Sequence, residues 1–371
     1  MKKSIALTLG AIFFFSACSN SLDKTTVAKY EERLNTQINE TLKDFQQDMG
    51  VRIEISNFSC KGDGMFLRCS SPNFNVFAKD NTQTEQKLIE AKNLEIYSNE
   101  IYTGEEQGLI SLKDYYDNLL NKNKNLKTSF TLEGFKLGEK VISDINASLS
   151  QSDPKIQDYL AKLSSGVFTL SFENSLFVKN SDYNNNFNMK INNQDLNFDM
   201  NLNFDYKQSL LDFFEKAGIK YNTQTYAIDE KAVEELLDQQ GFAQPIQESV
   251  ILNNFKINSS LDTQGVFENY ITIAKGGLEA LKIQSQNEEQ TLLIDKALLA
   301  LNEITKDEVY KLDLEAKFKP IALSDYPKEG INAVEKLTVN NQDFTETLRI
   351  LFGFMMIPIV RGILKRTCNY P

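Results

Sequence analysis

The sequence predicts an α+β, β-rich fold: a large curved antiparallel sheet accompanied by short amphipathic helices. Three observations predict it. Apolar and polar residues alternate through several long segments, which is the pattern of strands with one covered and one wet face. Segments of helical period lie between them. The composition, 41% hydrophobic and 25% charged over 371 residues, is that of a folded globular chain. No Pro/Gly/Ser-rich linker interrupts residues 25–371, so they read as a single elongated domain.

The chain opens with Lys2 and Lys3, an apolar run from Ile5 to Phe15, and then Ser16-Ala17-Cys18. Residues 1–17 read as a lipoprotein signal peptide, with a small residue before the cysteine that becomes the acylated N-terminus; Phe15 stands where leucine is usual. The apolar run is too short to span a bilayer. Residues 18–24 then form the acylated tether. Ser19, rather than an aspartate, follows Cys18 and points to the outer membrane. Several acyl chains make such an anchor stable. Removing the signal also removes Lys2 and Lys3, so the net charge of −11 falls by two, to about −13.

Val27, Tyr30, Leu34, Ile38, Leu42, Phe45 and Met49 recur every three or four residues and predict a long helix stopped by Gly50. Strands follow. Val51, Ile53 and Ile55 alternate with charged and polar residues, as do Tyr310, Leu312, Leu314, Ala316 and Phe318. The longest case runs Leu196, Phe198, Met200, Leu202, Phe204, Tyr206, a strand of roughly 36 Å at about 3.3 Å per residue. Shorter helices are predicted around Tyr115–Leu120 and Leu210–Phe214, at 154–163, at 229–239 with Asp229 as N-cap and Gly241 as stop, and at 292–304. Residues 112–120 and 206–214 resemble each other, either through a duplicated unit or as two similar amphipathic helices. One-sided strands of this length need their apolar face covered. The irregular spacing argues against an outer-membrane barrel. What remains is a curved sheet wrapped over helices or over an apolar groove that admits lipid or a partner, with filling by helices as the default. The charge-free run 350–360, followed by Arg361, Lys365 and Arg366, is too short to span a bilayer and reads as a buried closing element, with a membrane-surface contact as the alternative.

The chain contains no histidine, which removes Ser-His-Asp triads, Cys-His pairs and most zinc sites. Its acidity argues against a nucleic-acid partner. No nucleotide-binding or hydrolase motif is present, and paired carboxylates such as Glu234-Glu235 read as solvated charge. No enzyme activity, cofactor or metal is expected. Asn184-Asn185-Asn186 and Asn192-Asn193-Gln194-Asp195 lack EF-hand spacing and read as solvated loops. Cys60 and Cys69 flank a Gly/Asp cluster and suit a disulfide across a hairpin in an oxidising compartment. Cys368 is left over. Asp144-Ile145-Asn146-Ala147-Ser148 carries an acid two residues before Asn146, the extended acceptor sequence of bacterial N-glycosylation, which makes Asn146 a candidate site on an accessible surface.

Together with the lipobox, three stretches carry a resemblance: 92–102 (Lys92-Asn93-Leu94-Glu95-Ile96-Tyr97 onward), 135–149 (Phe135-Lys136-Leu137-Gly138 onward) and 218–225. Along its whole length the chain resembles the Campylobacter surface-lipoprotein adhesin family, JlpA. The resemblance implies an unclosed half-barrel sheet with a hydrophobic concave face and a surface-exposed outer-membrane lipoprotein that attaches to host epithelial cells. It also implies a host heat-shock protein of the ninety-kilodalton class as receptor, and a glycan at Asn146. A lipid or lipoprotein carrier using the concave face as a pocket is the alternative. No residue is singled out for host binding.

Overall fold

The computed structural model describes residues 22, 24–49, 51–79, 84–101, 108–148, 153–179, 182–223, 227–239, 241–285, 287–347 and 349. Cys18, Cys368 and the run 350–360 lie outside them. The first element, α1 (Lys24–Met49), is the expected amphipathic helix. Six strands follow: β1 (Val51–Ile55), β2 (Ser59–Asp63), β3 (Phe66–Ser71), β4 (Phe74–Lys79), β5 (Glu85–Ala91) and β6 (Asn93–Ser98). Next come β7 (Leu109–Ser111), α2 (Leu112–Asn123), β8 (Asn125–Leu137), α3 (Glu139–Ser148), α4 (Pro154–Ser164) and the long strands β9 (Phe168–Lys179), β10 (Asp182–Asn192) and β11 (Leu196–Tyr206). The chain continues through α5 (Gln208–Lys216), β12 (Lys220–Asn222), β13 (Ala227–Ile228), α6 (Glu230–Asp238), α7 (Ala243–Ser249) and β14 (Val250–Asp262). A helical hairpin, α8 (Glu268–Gln284) and α9 (Glu288–Ile304), precedes β15 (Val309–Phe318), β16 (Val334–Val339) and β17 (Gln342–Asp343).

Fourteen strands form one unclosed sheet, with the order β1-β4-β5-β8-β9-β10-β11-β14-β15-β16-β17 and a second arm, β2-β3-β6, that also joins β8. Every recorded pairing within it is antiparallel. The fork lies in β8, whose residues 128–133 pair with β6 while Lys136 and Leu137 pair with β5. Its opposite edge pairs with β9, and the register slips between Leu132 and Phe135. Gly134 occupies that slip at φ +66, a conformation glycine adopts without penalty. Further slips at Asn203/Phe204 and Lys317/Phe318 bend the sheet.

Two cores hold the sheet. Under α1, Tyr30 and Leu34 pack with Phe58, Leu67, Cys69, Leu94 and Ile96. Asn35 braces the helix to the sheet: its amide nitrogen donates to the Phe58 carbonyl at 3.0 Å, and its amide oxygen accepts from the Phe58 N–H at 2.7 Å. At the other core, Tyr115, Leu119 and Tyr221 are fully buried between α2, α5, α6 and the strand ends. The rings of Tyr115 and Tyr221 lie 4.1 Å apart. Helix starts follow the expected chemistry, with Ser111, Asp153, Asp229 and Asn287 accepting backbone N–H bonds as N-caps.

The structure corrects three expectations. Asn184, Asn185 and Asn186 are not a solvated loop but lie within β10, and Asn184 and Asn185 are buried. Asn184 and Asn186 bond across strands to the amides of Asn203 and Asn201, which lets part of a polar run sit inside a sheet, whereas Asn185 turns to the other face and its buried amide oxygen has no hydrogen-bond partner among the described residues. The second stretch divides: Asn192 ends β10, and Asn193 to Asp195 form the turn, the Asn193 side chain accepting from the Asp195 and Leu196 N–H groups. Helix α9 begins at Glu288, a turn before the expected 292, because Asn287 caps it there. Finally, α3, α7 and α8 occur where no helix was expected.

Candidate binding surfaces on the two faces of the sheet

Strand register sorts the sheet's side chains into two rows. One row runs Cys60, Cys69, Ile96, Phe130, Phe172, Met189, Met200, Ile257, Leu314, Val339, each residue opposite the next. Its neighbour, one residue along every strand and therefore on the other face, runs Lys61, Arg68, Tyr97, Ser129, Glu173, Asn188, Asn201, Lys256, Glu315, Thr338. The first row is apolar throughout and the second almost wholly polar. Period-two patterning thus gives the sheet one apolar and one polar face over ten strands.

The apolar face is covered unevenly. At its start α1 seals it, leaving Cys69 at 0% and Ile96 at 9% exposure. From Phe130 to Val339 the row is half-buried. Phenylalanine, methionine and aliphatic side chains make up this partly buried row.

The polar face is an ordered hydrogen-bond lattice. Asn203 donates to the Asn184 amide oxygen at 2.9 Å, Asn201 donates to that of Asn186 at 2.8 Å, Asn188 donates to Asp199 at 2.6 Å, and Asn253 donates to Asn203 at 2.9 Å. Ion pairs Lys127–Glu173, Lys190–Asp199 and Lys256–Glu315 lie among them at 2.8, 3.4 and 3.1 Å. Each is solvent-accessible and contributes little to stability. At one end Phe66 stacks on Tyr97, with centroids 4.4 Å apart, and the Arg68 guanidinium lies 5.1 Å from the Tyr97 ring centre. Neither this aromatic cluster nor the lattice was anticipated from sequence, because each depends on which strands become neighbours.

The expected site residues fall in separate places. Cys60 and Cys69 face each other across the β2–β3 hairpin and are joined by a disulfide, at the covered end of the apolar row. The hairpin turns at Gly64, φ +63, within the Gly/Asp cluster. Asn146 lies on α3, exposed, far along the chain from both. Cys18 is outside the described residues. Among the described residues no cluster of His, Cys, Asp or Glu side chains could hold a metal ion, and no helix is long and apolar enough to cross a membrane.

One buried acid was also not foreseen. Glu100 is 3% exposed. Its carboxyl accepts from the Thr128 hydroxyl at 2.8 Å, and its own N–H donates to Ser98 Oγ at 3.1 Å. Burial pushes its pKa up to about 7, with the Thr128 bond pulling the other way. The same burial raises the phenols of Tyr116 and Tyr206 nearby.

A search among curated proteins finds no match. A family model described as an adhesin from Campylobacter, JLPA, matches residues 20–364. With nearly the whole chain covered, and with the unclosed antiparallel sheet in place, the chain belongs to the JLPA family of Campylobacter adhesins.

Proposed function

We propose that this chain is a non-catalytic adhesin, held at the outer membrane by acylated Cys18 and exposed at the cell surface, where it attaches the cell to host epithelium. Membership of the adhesin family over residues 20–364 carries the reading. The signal-like start ending at Cys18 supports the anchor. A wide, ordered polar face on a rigid sheet supports a binding rather than a catalytic role, since rigid elements hold contact residues at low entropic cost. On this reading the receptor is a host heat-shock protein of the ninety-kilodalton class, and exposed Asn146 carries a glycan.

Attachment to epithelial cells tests the proposal. A strain lacking the chain loses attachment and regains it with the intact gene but not with Cys18→Ala. Unchanged attachment in the deletion strain would sink the adhesin reading. Adding the purified heat-shock protein lowers attachment if it is the receptor.

The partly exposed apolar row from Phe130 to Val339 favours a second reading, a carrier of lipid or lipoprotein. Mass spectrometry of purified, unacylated protein distinguishes the two. Lipid retained in a fixed ratio favours the carrier; its absence removes this reading.

A further inference from the structure

Exposed large hydrophobic side chains are concentrated in one place. Of the ten among the described residues, six belong to the α8–α9 hairpin: Tyr270, Ile273, Leu281, Ile283, Leu292 and Leu299. Ile273 and Ile283 are 72% and 86% exposed. A helix pair that is apolar outward as well as inward needs a partner on its outer side.

The described chain ends beside this surface. The Lys296 ammonium donates to the Asp343 carbonyl at 3.2 Å and lies 5.8 Å from the Phe344 ring centre. Leu292, Lys296 and Leu299 stand at i, i+4 and i+7, so the two exposed leucines flank the lysine on one face of α9. An ion pair of 2.5 Å between Lys282 and Asp295 sets Leu281 and Ile283 within about a turn of the same level. The exit is fixed: Phe344 and Thr345 are buried, the Thr345 hydroxyl donates to Asp343 at 2.6 Å, and the same oxygen accepts from the Leu337 N–H at 2.9 Å. Five residues after Thr345 comes the run Ile350-Leu351-Phe352-Gly353-Phe354-Met355-Met356-Ile357-Pro358-Ile359-Val360, without a charge. Eleven residues span about 16 Å as a helix and about 36 Å extended, enough in either form to follow α9. Acidic residues stand at both ends of that path, Glu288 and Glu289 at one and Glu303, Asp307 and Glu308 at the other, and the run is followed by Arg361, Lys365 and Arg366.

We propose that the chain's own segment 350–360 docks on the outer apolar face of the α8–α9 hairpin, along the stripe through Leu292 and Leu299. The hairpin is then an intramolecular seat for the C-terminus, and its apolar surface is withdrawn from partners. This inference is independent of the adhesin reading.

A photo-reactive benzoylphenylalanine at position 354 in the full mature chain tests it. Irradiation followed by peptide mapping gives a crosslink to 268–304 within one copy. In parallel, Phe354→Asp accelerates amide exchange in α9 about tenfold and leaves β9 to β11 unchanged. A crosslink to the strands, to a second copy, or to added phosphatidylethanolamine vesicles in place of the hairpin would overturn the proposal. Exchange unchanged in α9 in a folded Phe354→Asp chain would do the same.

Discussion

Glu100 is the residue whose chemistry depends most on where the chain folds it. In the unfolded chain its carboxyl has an ordinary affinity for a proton; in the fold, burial raises its pKa to about 7. The protonated form therefore favours folding, and the contribution is complete below about pH 4.5 and lost as pH rises through about 7. Above that pH the ionised acid is worth about 3 kcal/mol against the fold. Glu100→Gln keeps an acceptor for Thr128 and removes the charge. Urea titration is expected to show the variant more stable than the native chain by up to about 3 kcal/mol at pH 8, with the gap closing toward pH 4. A gap independent of pH would contradict this account. Sequence did not mark this residue, because Ser98-Asn99-Glu100 reads as a polar strand end until β8 and α2 close over it. The proposed glycan at Asn146 rests on a local sequence, Asp144 to Ser148, and the residue is exposed on α3. Asn146→Gln is expected to lower the mass of the mature protein by one glycan; an unchanged mass difference beyond the substitution itself would remove the site.

At the scale of elements, one-sided strands were the most legible feature. In β11 every apolar residue from Leu196 to Tyr206 faces one way, and a period of two fixes both the element and its faces. Helix α8 was illegible for a matching reason: apolar side chains lie on its outer as well as its inner side, and the poor helix formers Gly276-Gly277 stand in its middle, so no helical stripe stands out. The fork in β8 was also invisible, since nothing local distinguishes residues that pair with β6 from those that pair with β5. That fork explains Gly138. It is buried where the chain leaves β8 for α3, and its N–H donates to the Leu88 carbonyl at 2.8 Å. A Cβ there would meet the Lys87 carbonyl oxygen at 1.8 Å. Backbone cannot swing aside as a side chain can, so Gly138→Ala is expected to destabilise by about 2 to 3 kcal/mol, read from the urea midpoint. A midpoint unchanged would mean that β5 and α3 are not so closely apposed. The β2–β3 disulfide closes a short loop, and Cys60→Ser with Cys69→Ser is expected to cost about 2 to 3 kcal/mol by the chain-entropy account.

Over the whole molecule, alternation along single strands becomes two faces of one open sheet, apolar and polar, because strand register carries each pattern into the next. The apolar face is sealed by α1 at one end and only partly buried from β8 to β16. The polar face carries the amide lattice and the Phe66–Tyr97–Arg68 cluster. Family membership assigns this architecture to adhesins. An adhesin must meet its host from outside the cell, whereas a carrier of lipid or lipoprotein works within the envelope. Protease treatment of intact cells separates these locations in one measurement. The account predicts that externally added protease degrades the mature chain while periplasmic proteins stay whole; a chain that remains intact until the outer membrane is opened would contradict it.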